Sequence, residues 1–154
     1  MSLDLFAVQE TIADYVRDQF PTYVVEEDGI PDDKQLKRKN GKVVNYIVLT
    51  WGTLSRKAGG SSMAGARWDD YESTVDVNVV SGVGRNARQS LNIVTDRLIG
   101  YRPTGGNELT TRGNSTTMTV RDVDGNITAY ISSQRLLFGV NGENVGERIP
   151  VPTP

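Results

Sequence analysis

The sequence predicts an α+β fold, and three observations predict it. Apolar residues recur at intervals of three and four in two separate stretches, the pattern of amphipathic helices. Val75, Val77 and Val79 alternate with Thr74, Asp76 and Asn78, the period of two of a strand with one buried and one wet face. Asp124-Gly125 stands between two strand-like runs, which is a hairpin signal.

The first helix carries a stripe of Leu5, Val8, Ile12, Val16 and Phe20, with Tyr15 beside it. Ser2 suits its N-cap, Asp4 its positive first turn, and Pro21 its end. Tyr23 to Val25 begin a short strand. Residues 26–42, EEDGIPDDKQLKRKNGK, are polar and read as a loop punctuated by Gly29, Pro31 and Asn40-Gly41. Residues 43–52, VVNYIVLTWG, put β-branched and aromatic residues on both faces, as a central strand does. Residues 53–67, rich in Gly, Ser and Ala, read as a long flexible loop with too little apolar surface to order itself.

Tyr71 to Val80 form the next strand. The second helix runs from about Asn86 to Ile99, with Ala87, Leu91, Val94 and Leu98 buried and Gly100 as a left-handed cap. Arg85, Arg88, Asn92 and Asp96 fall on or near its outer side. Tyr101 to Ser115 read as a second loop. Thr116–Val123 and Ile127–Ser133 form the hairpin, with Arg135 to Val140 extending its second strand. Residues 1–140 therefore read as one domain. Residues 141–154, with three prolines and no periodic pattern, read as an extended C-terminal tail.

Composition narrows the function classes. The 154 residues are 37% hydrophobic, low for a compact globule, and include 16 Gly, so some surface is expected to be completed by partners. A net charge of −2 supplies no global field toward nucleic acid or membrane. The charge is uneven: residues 1–77 carry 9 basic and 13 acidic side chains, net −4, and residues 78–154 carry 8 and 6, net +2. Such halves could meet across a subunit boundary, or sit harmlessly in a monomer. With no Cys and no His there is no disulfide, thiolate nucleophile, Cys/His metal site or imidazole base. Asp4, Glu10 and Asp14 interrupt the N-terminal apolar residues, which argues against a signal peptide or a membrane span and for a soluble chain made in the cytoplasm.

Four constellations invite a chemical reading. Gly82-Val83-Gly84-Arg85-Asn86-Ala87 between a strand and a helix has the outline of a dinucleotide fingerprint. The alternation of the preceding strand, and the lack of a strand ending in an acid some twenty residues on, argue instead for a tight strand-to-helix connection. Asp122-Val-Asp124-Gly-Asn126 resembles the start of a calcium loop, but Ile127 and Ser133 stand where that loop needs Gly and Glu. Asp69-Asp70 with Glu72 has nothing nearby to perturb it as an acid/base set. Lys34, Lys37, Arg38, Lys39 and Lys42 follow five acids and lack interleaved aromatics, so a solvated loop is favoured over a phosphate site. No catalytic, cofactor or metal residue emerges. Trp51 and Trp68 flank the long loop, and a Trp at a loop base can anchor an interface.

The order helix, strand, strand, long loop, strand, helix, hairpin and tail is informative when joined to YIVLTWG and to DYESTVDVNVVSGVGRNARQSLNIVTDRLIGYRPTGGNEL. Together these resemble the tail terminator, or tail-to-head joining, proteins of long-tailed phages, over about residues 3–140. The resemblance implies two helices packed on one face of a mostly antiparallel sheet. It also implies a homo-oligomer, a six-membered ring that caps the tail tube and offers its other face to a head-tail connector or stopper protein. The virion would be its destination. Genomic DNA would pass through the ring without sequence-specific binding, no membrane is involved, and no enzyme activity or cofactor comes with the family. The polar 26–42 loop and the proline-rich end have no counterpart there. A neighbouring neck or tail-tube component is the alternative. A small nucleotide-binding protein or enzyme is the reading from another class. Candidate interface residues are Arg56, Lys57 and Arg67 toward acidic surfaces, Trp68 as anchor, Arg85 and Arg88 on the second helix, and Ile149 and Val151 held extended between prolines.

Overall fold

The computed structural model describes residues 5–56 and 71–140. α1 (Leu5–Gln19) turns its stripe inward: Val8, Ile12, Ala13 and Val16 are buried, and Phe20 follows just past its end. β1 (Val24–Glu27) then pairs in parallel with β4 (Tyr46–Trp51). Between them β2 (Arg38–Lys39) and β3 (Lys42–Val43) form a two-residue hairpin. Its turn, Asn40-Gly41, has positive φ at both residues (55° and 78°), the pairing that a type I′ turn requires.

β5 (Ser55–Arg56), β6 (Tyr71–Ser81), α2 (Gly84–Leu98), β7 (Thr110–Arg121) and β8 (Ile127–Val140) complete the order. The main sheet runs β1-β4-β6-β8-β7, with β5 added beside the start of β6. Among the described strands only β1 and β4 run parallel; every other pair in that sheet is antiparallel. The α+β fold with both helices on one face of a mostly antiparallel sheet is therefore what the chain adopts.

The core lies between that face and the helices. Ile47 and Leu49 of β4, Val75, Val77 and Val79 of β6, and Leu136, Phe138 and Val140 of β8 meet the buried residues of α1 and Leu91, Val94 and Leu98 of α2. The helices are tied at their flanks. Tyr15 stacks on Tyr101 with ring centroids 3.7 Å apart and donates to the Arg97 carbonyl. Tyr23 donates to Ser90 Oγ at 2.9 Å, and Arg97 donates to Gln19 Oε1 at 2.9 Å.

The other sheet face departs from expectation. Tyr46, Val48, Val80, Ala129 and Ile131 form a second, smaller core closed by Leu36. The polar stretch 26–42 is thus more than a solvated loop. Leu36 is a plug, Tyr46 Oη accepts from the Lys37 amide at 2.8 Å, and Val44 N donates to the Lys37 carbonyl. One consequence corrects the half-wet reading of β6. From Val77 to Ser81 it is buried on both faces, and Asn78 is 4% exposed. Asn78 meets burial with a full set of partners: Nδ2 lies within hydrogen-bond distance of the Val48 carbonyl, Thr50 Oγ1 and the Asp76 carbonyl, and Oδ1 accepts from Ser133 Oγ at 2.6 Å.

Other boundaries move too. β4 starts at Tyr46, since Val43 belongs to the small hairpin. Within the expected 53–67 loop, Ser55 and Arg56 pair with Glu72 and Tyr71. α2 starts two residues earlier than its periodicity suggests. β7 starts at Thr110, so the last six residues of the expected 101–115 loop belong to strand. Within β7, residues 113–115 bulge out opposite Gln134, whose Nε2 donates to the Arg112 and Gly113 carbonyls. Gly100 is left-handed (φ 88°) as expected, but in a β-turn closed by Tyr101 N to the Leu98 carbonyl, while its own N–H goes to the Leu109 carbonyl. Ser2, Asp4 and the tail 141–154 lie outside the described residues.

Candidate functional site

The glycine motif is settled by topology. β6 leads into it, and both neighbours of β6 run antiparallel. A dinucleotide fingerprint needs a parallel strand–helix–strand unit, which this is not. Gly84 has a packing reason instead. A Cβ there would lie 3.2 Å from Tyr130 Cδ1, so the first turn of α2 sits directly on that ring. Ala87 is fully buried one turn on. Val83, at the N-cap, gives no side-chain cap bond, and its own N–H donates to Ser81 Oγ.

The calcium-like pentad is a hairpin turn. Asp122 Oδ1 accepts from the amides of Asp124 and Asn126, Gly125 N closes on the Asp122 carbonyl, and Gly125 sits at φ 82°. The carboxylate is spent on backbone donors. Of the acidic set, Glu72 is near Arg112 (3.9 Å), while Asp69 and Asp70 lie outside the described residues. In the basic run, all five side chains are exposed and Arg38 pairs with Asp33 at 2.7 Å. The Thr128 hydroxyl, and after it the Arg38 guanidinium, hold the Asp33 carboxyl below the ordinary aspartate range. Trp51 packs on the core edge and its Nε1 donates to Glu27 Oε1 at 2.8 Å.

Of the candidate interface residues, Arg85 and Arg88 are exposed on the first turns of α2. Arg88 lines a cleft of about 350 Å³ with Gly84, Thr117, Thr119, Tyr130 and Ser132, where α2 leaves the helix-side face of β7 uncovered. Arg56 lies in β5, beside the start of β6. Lys57, Arg67, Trp68, Ile149 and Val151 lie outside the described residues. Among the described members of that set, Arg85 and Arg88 stand three residues apart on α2, both exposed, and Arg56 lies in β5.

Sequence reading placed the second half of β7, as Thr116–Val123, but missed its start and its edge position among the described strands. β7 is an edge strand of 12 residues, and all but Val120 are exposed. Its five threonines and Met118-Thr119-Val120 carry strand propensity. The signal of its first half was present but fell inside the stretch from Tyr101 to Ser115 that reads as a loop. Edge strands present unpaired backbone groups, and soluble proteins usually shorten or cover them.

No protein-family model matches the chain, and no curated protein matches it. A solved structure of a protein without a functional name is 15% identical over 88% of this chain and 91% of its own, at a TM-score of 0.49. A likeness of that size carries no argument about function.

Proposed function

We propose that this chain is a structural assembly protein of a long-tailed phage: a tail terminator whose copies form a ring on the end of the tail tube and present the opposite face to the head connector or stopper protein. The reading starts from the resemblance over residues 3–140. One observation supports it beyond that: β7 is a long, exposed, Thr-rich edge on an otherwise well-packed fold. A monomer gains nothing from such an edge and risks aggregation. A subunit that contacts its neighbours head to tail uses it, since heterologous contacts that close by rotation give rings. The opposite charge of the two halves of the chain fits the same arrangement, because complementary faces set direction and register.

The test is the mass of the purified full-length chain by sedimentation equilibrium, then negative-stain imaging with its tail-tube protein. We expect a closed ring of identical subunits that decorates tube ends only. A chain that stays monomeric at high concentration and ignores the tube overturns the reading. Incorporation along the tube's length would make it a tube component.

A further inference from the structure

We infer that the ring is closed by strand pairing: β7 of one copy adds antiparallel to β1 of the next, so that the subunit sheets join into one continuous wall. This rests on the ring reading above and names the surface that makes it.

Three observations carry it. First, among the described residues the main sheet ends on β1 and β7, each with a single neighbouring strand. Second, strand directions fit. β4 runs with β1, β6 against β4, β8 against β6 and β7 against β8, so β7 runs opposite to β1. Copies related by rotation about an axis along the strands keep their strand directions. The β7 of one then meets the β1 of the next antiparallel, the slightly stronger pairing, and all helices stay on the same side of the wall. Third, the edges are oppositely charged. From Thr110 to Arg121 there are two cations, Arg112 and Arg121, and no acid. From Val24 to Asp28 there are three acids, Glu26, Glu27 and Asp28, and no base, although Arg17 reaches in to Glu27 at 3.0 Å.

The competing arrangement, two β7 strands about a two-fold axis, sets Arg-bearing edges against each other. Like charges opposite one another in a sheet are unfavourable. The lengths also agree. Beyond the bulge, β7 offers Thr116–Val120 as a regular run before a second shift in register at Arg121, and β1 has four residues.

The chain has no cysteine, so introduced pairs report cleanly. Val25→Cys would be combined in turn with Thr117→Cys, Thr119→Cys and Arg121→Cys, which scans the register, and each double variant oxidised at ring-forming concentration. We expect one pair to give a covalent ladder up to the full ring, with no dimer from Val25→Cys alone. As a check free of substitutions, hydrogen exchange on the unaltered protein should show residues 24–27 and 116–120 gaining protection from dilute chain to ring. Dimers from a β7 cysteine alone, or a ring by sedimentation with neither ladder nor new protection at these edges, overturn the pairing and leave the ring standing. A chain that sediments as a monomer throughout overturns both.

Discussion

Leu98 and Arg88 lie on one helix and have opposite fates. Leu98 is fully buried between α2 and the sheet, and Leu91 is nearly so. Truncating either to Ala removes methyl and methylene groups from a packed site, and urea denaturation should show a loss of about 2–5 kcal/mol. Arg88→Ala, on the exposed side, should change stability by less than about 1 kcal/mol. Equal losses would mean that the helix is rotated from the packing described. Asn78 is the residue whose sequence context misleads. Its place among Thr74 and Asp76 suggests water, yet it bridges β4, β6 and β8 inside the second core. Asn78→Ala strands the Val48 carbonyl and the Ser133 hydroxyl and should cost about 1–3 kcal/mol by the same measurement. Asn92→Ala on the outer face of α2 should stay within about 0.5 kcal/mol. The Leu91–Leu98 stripe was legible because helical periodicity is local. Burial of Asn78 was not, because its partners Val48 and Ser133 lie on other strands, 30 and 55 residues away in the chain.

At the scale of elements, the segment from Pro31 to Val44 matters most for what the sheet can expose. It is held by Leu36, by the Tyr46 hydroxyl and by Asp33 near Thr128 and Arg38. Leu36→Ala should speed amide exchange at Val44 and in β2–β3 while leaving Val75–Val79 protected, which hydrogen-exchange mass spectrometry can read. Asp33 makes the same anchor dependent on acidity. Its folded-state pKa is depressed, so its contribution is present above the ordinary aspartate value and lost as pH falls through the lower folded value. A carbon-detected titration should place the Asp33 midpoint below that of a free aspartate, and Thr128→Val should raise it. The hairpin at Asp122–Asn126 was readable because turn chemistry is carried by adjacent residues. The onset of β7 was not: a bulge and a turn both want glycine, and only the partner strand tells them apart.

For the whole molecule, sheet edges and charge decide how copies meet. If β1 and β7 face each other, part of the attraction is electrostatic and screened by salt. Raising ionic strength from about 0.1 to 1 M shortens the screening length from roughly 10 to 3 Å. The ring should then dissociate at a higher protein concentration in 1 M than in 0.1 M sodium chloride, measured by sedimentation. A ring indifferent to salt would remove charge from the account of its assembly. No helix among the described residues is long and apolar enough to cross a membrane.

The central position of β6 also has a consequence in time. Its partner β8 lies far downstream, with Asp76 opposite Arg135, a separation of roughly sixty residues. At about 5–20 residues per second, a ribosome needs roughly 3–12 s to add that much chain. Until β8 emerges, β6 can pair only with strands already made, and its other edge and its run of valines stand open. Pairing across such a separation closes late, because a large loop must form before the contacts can reward it. Other nascent chains on the same message offer that edge an equivalent strand, so misassembly during synthesis competes with folding in this interval. The strand most deeply enclosed in the finished protein is the one that waits longest with an open side.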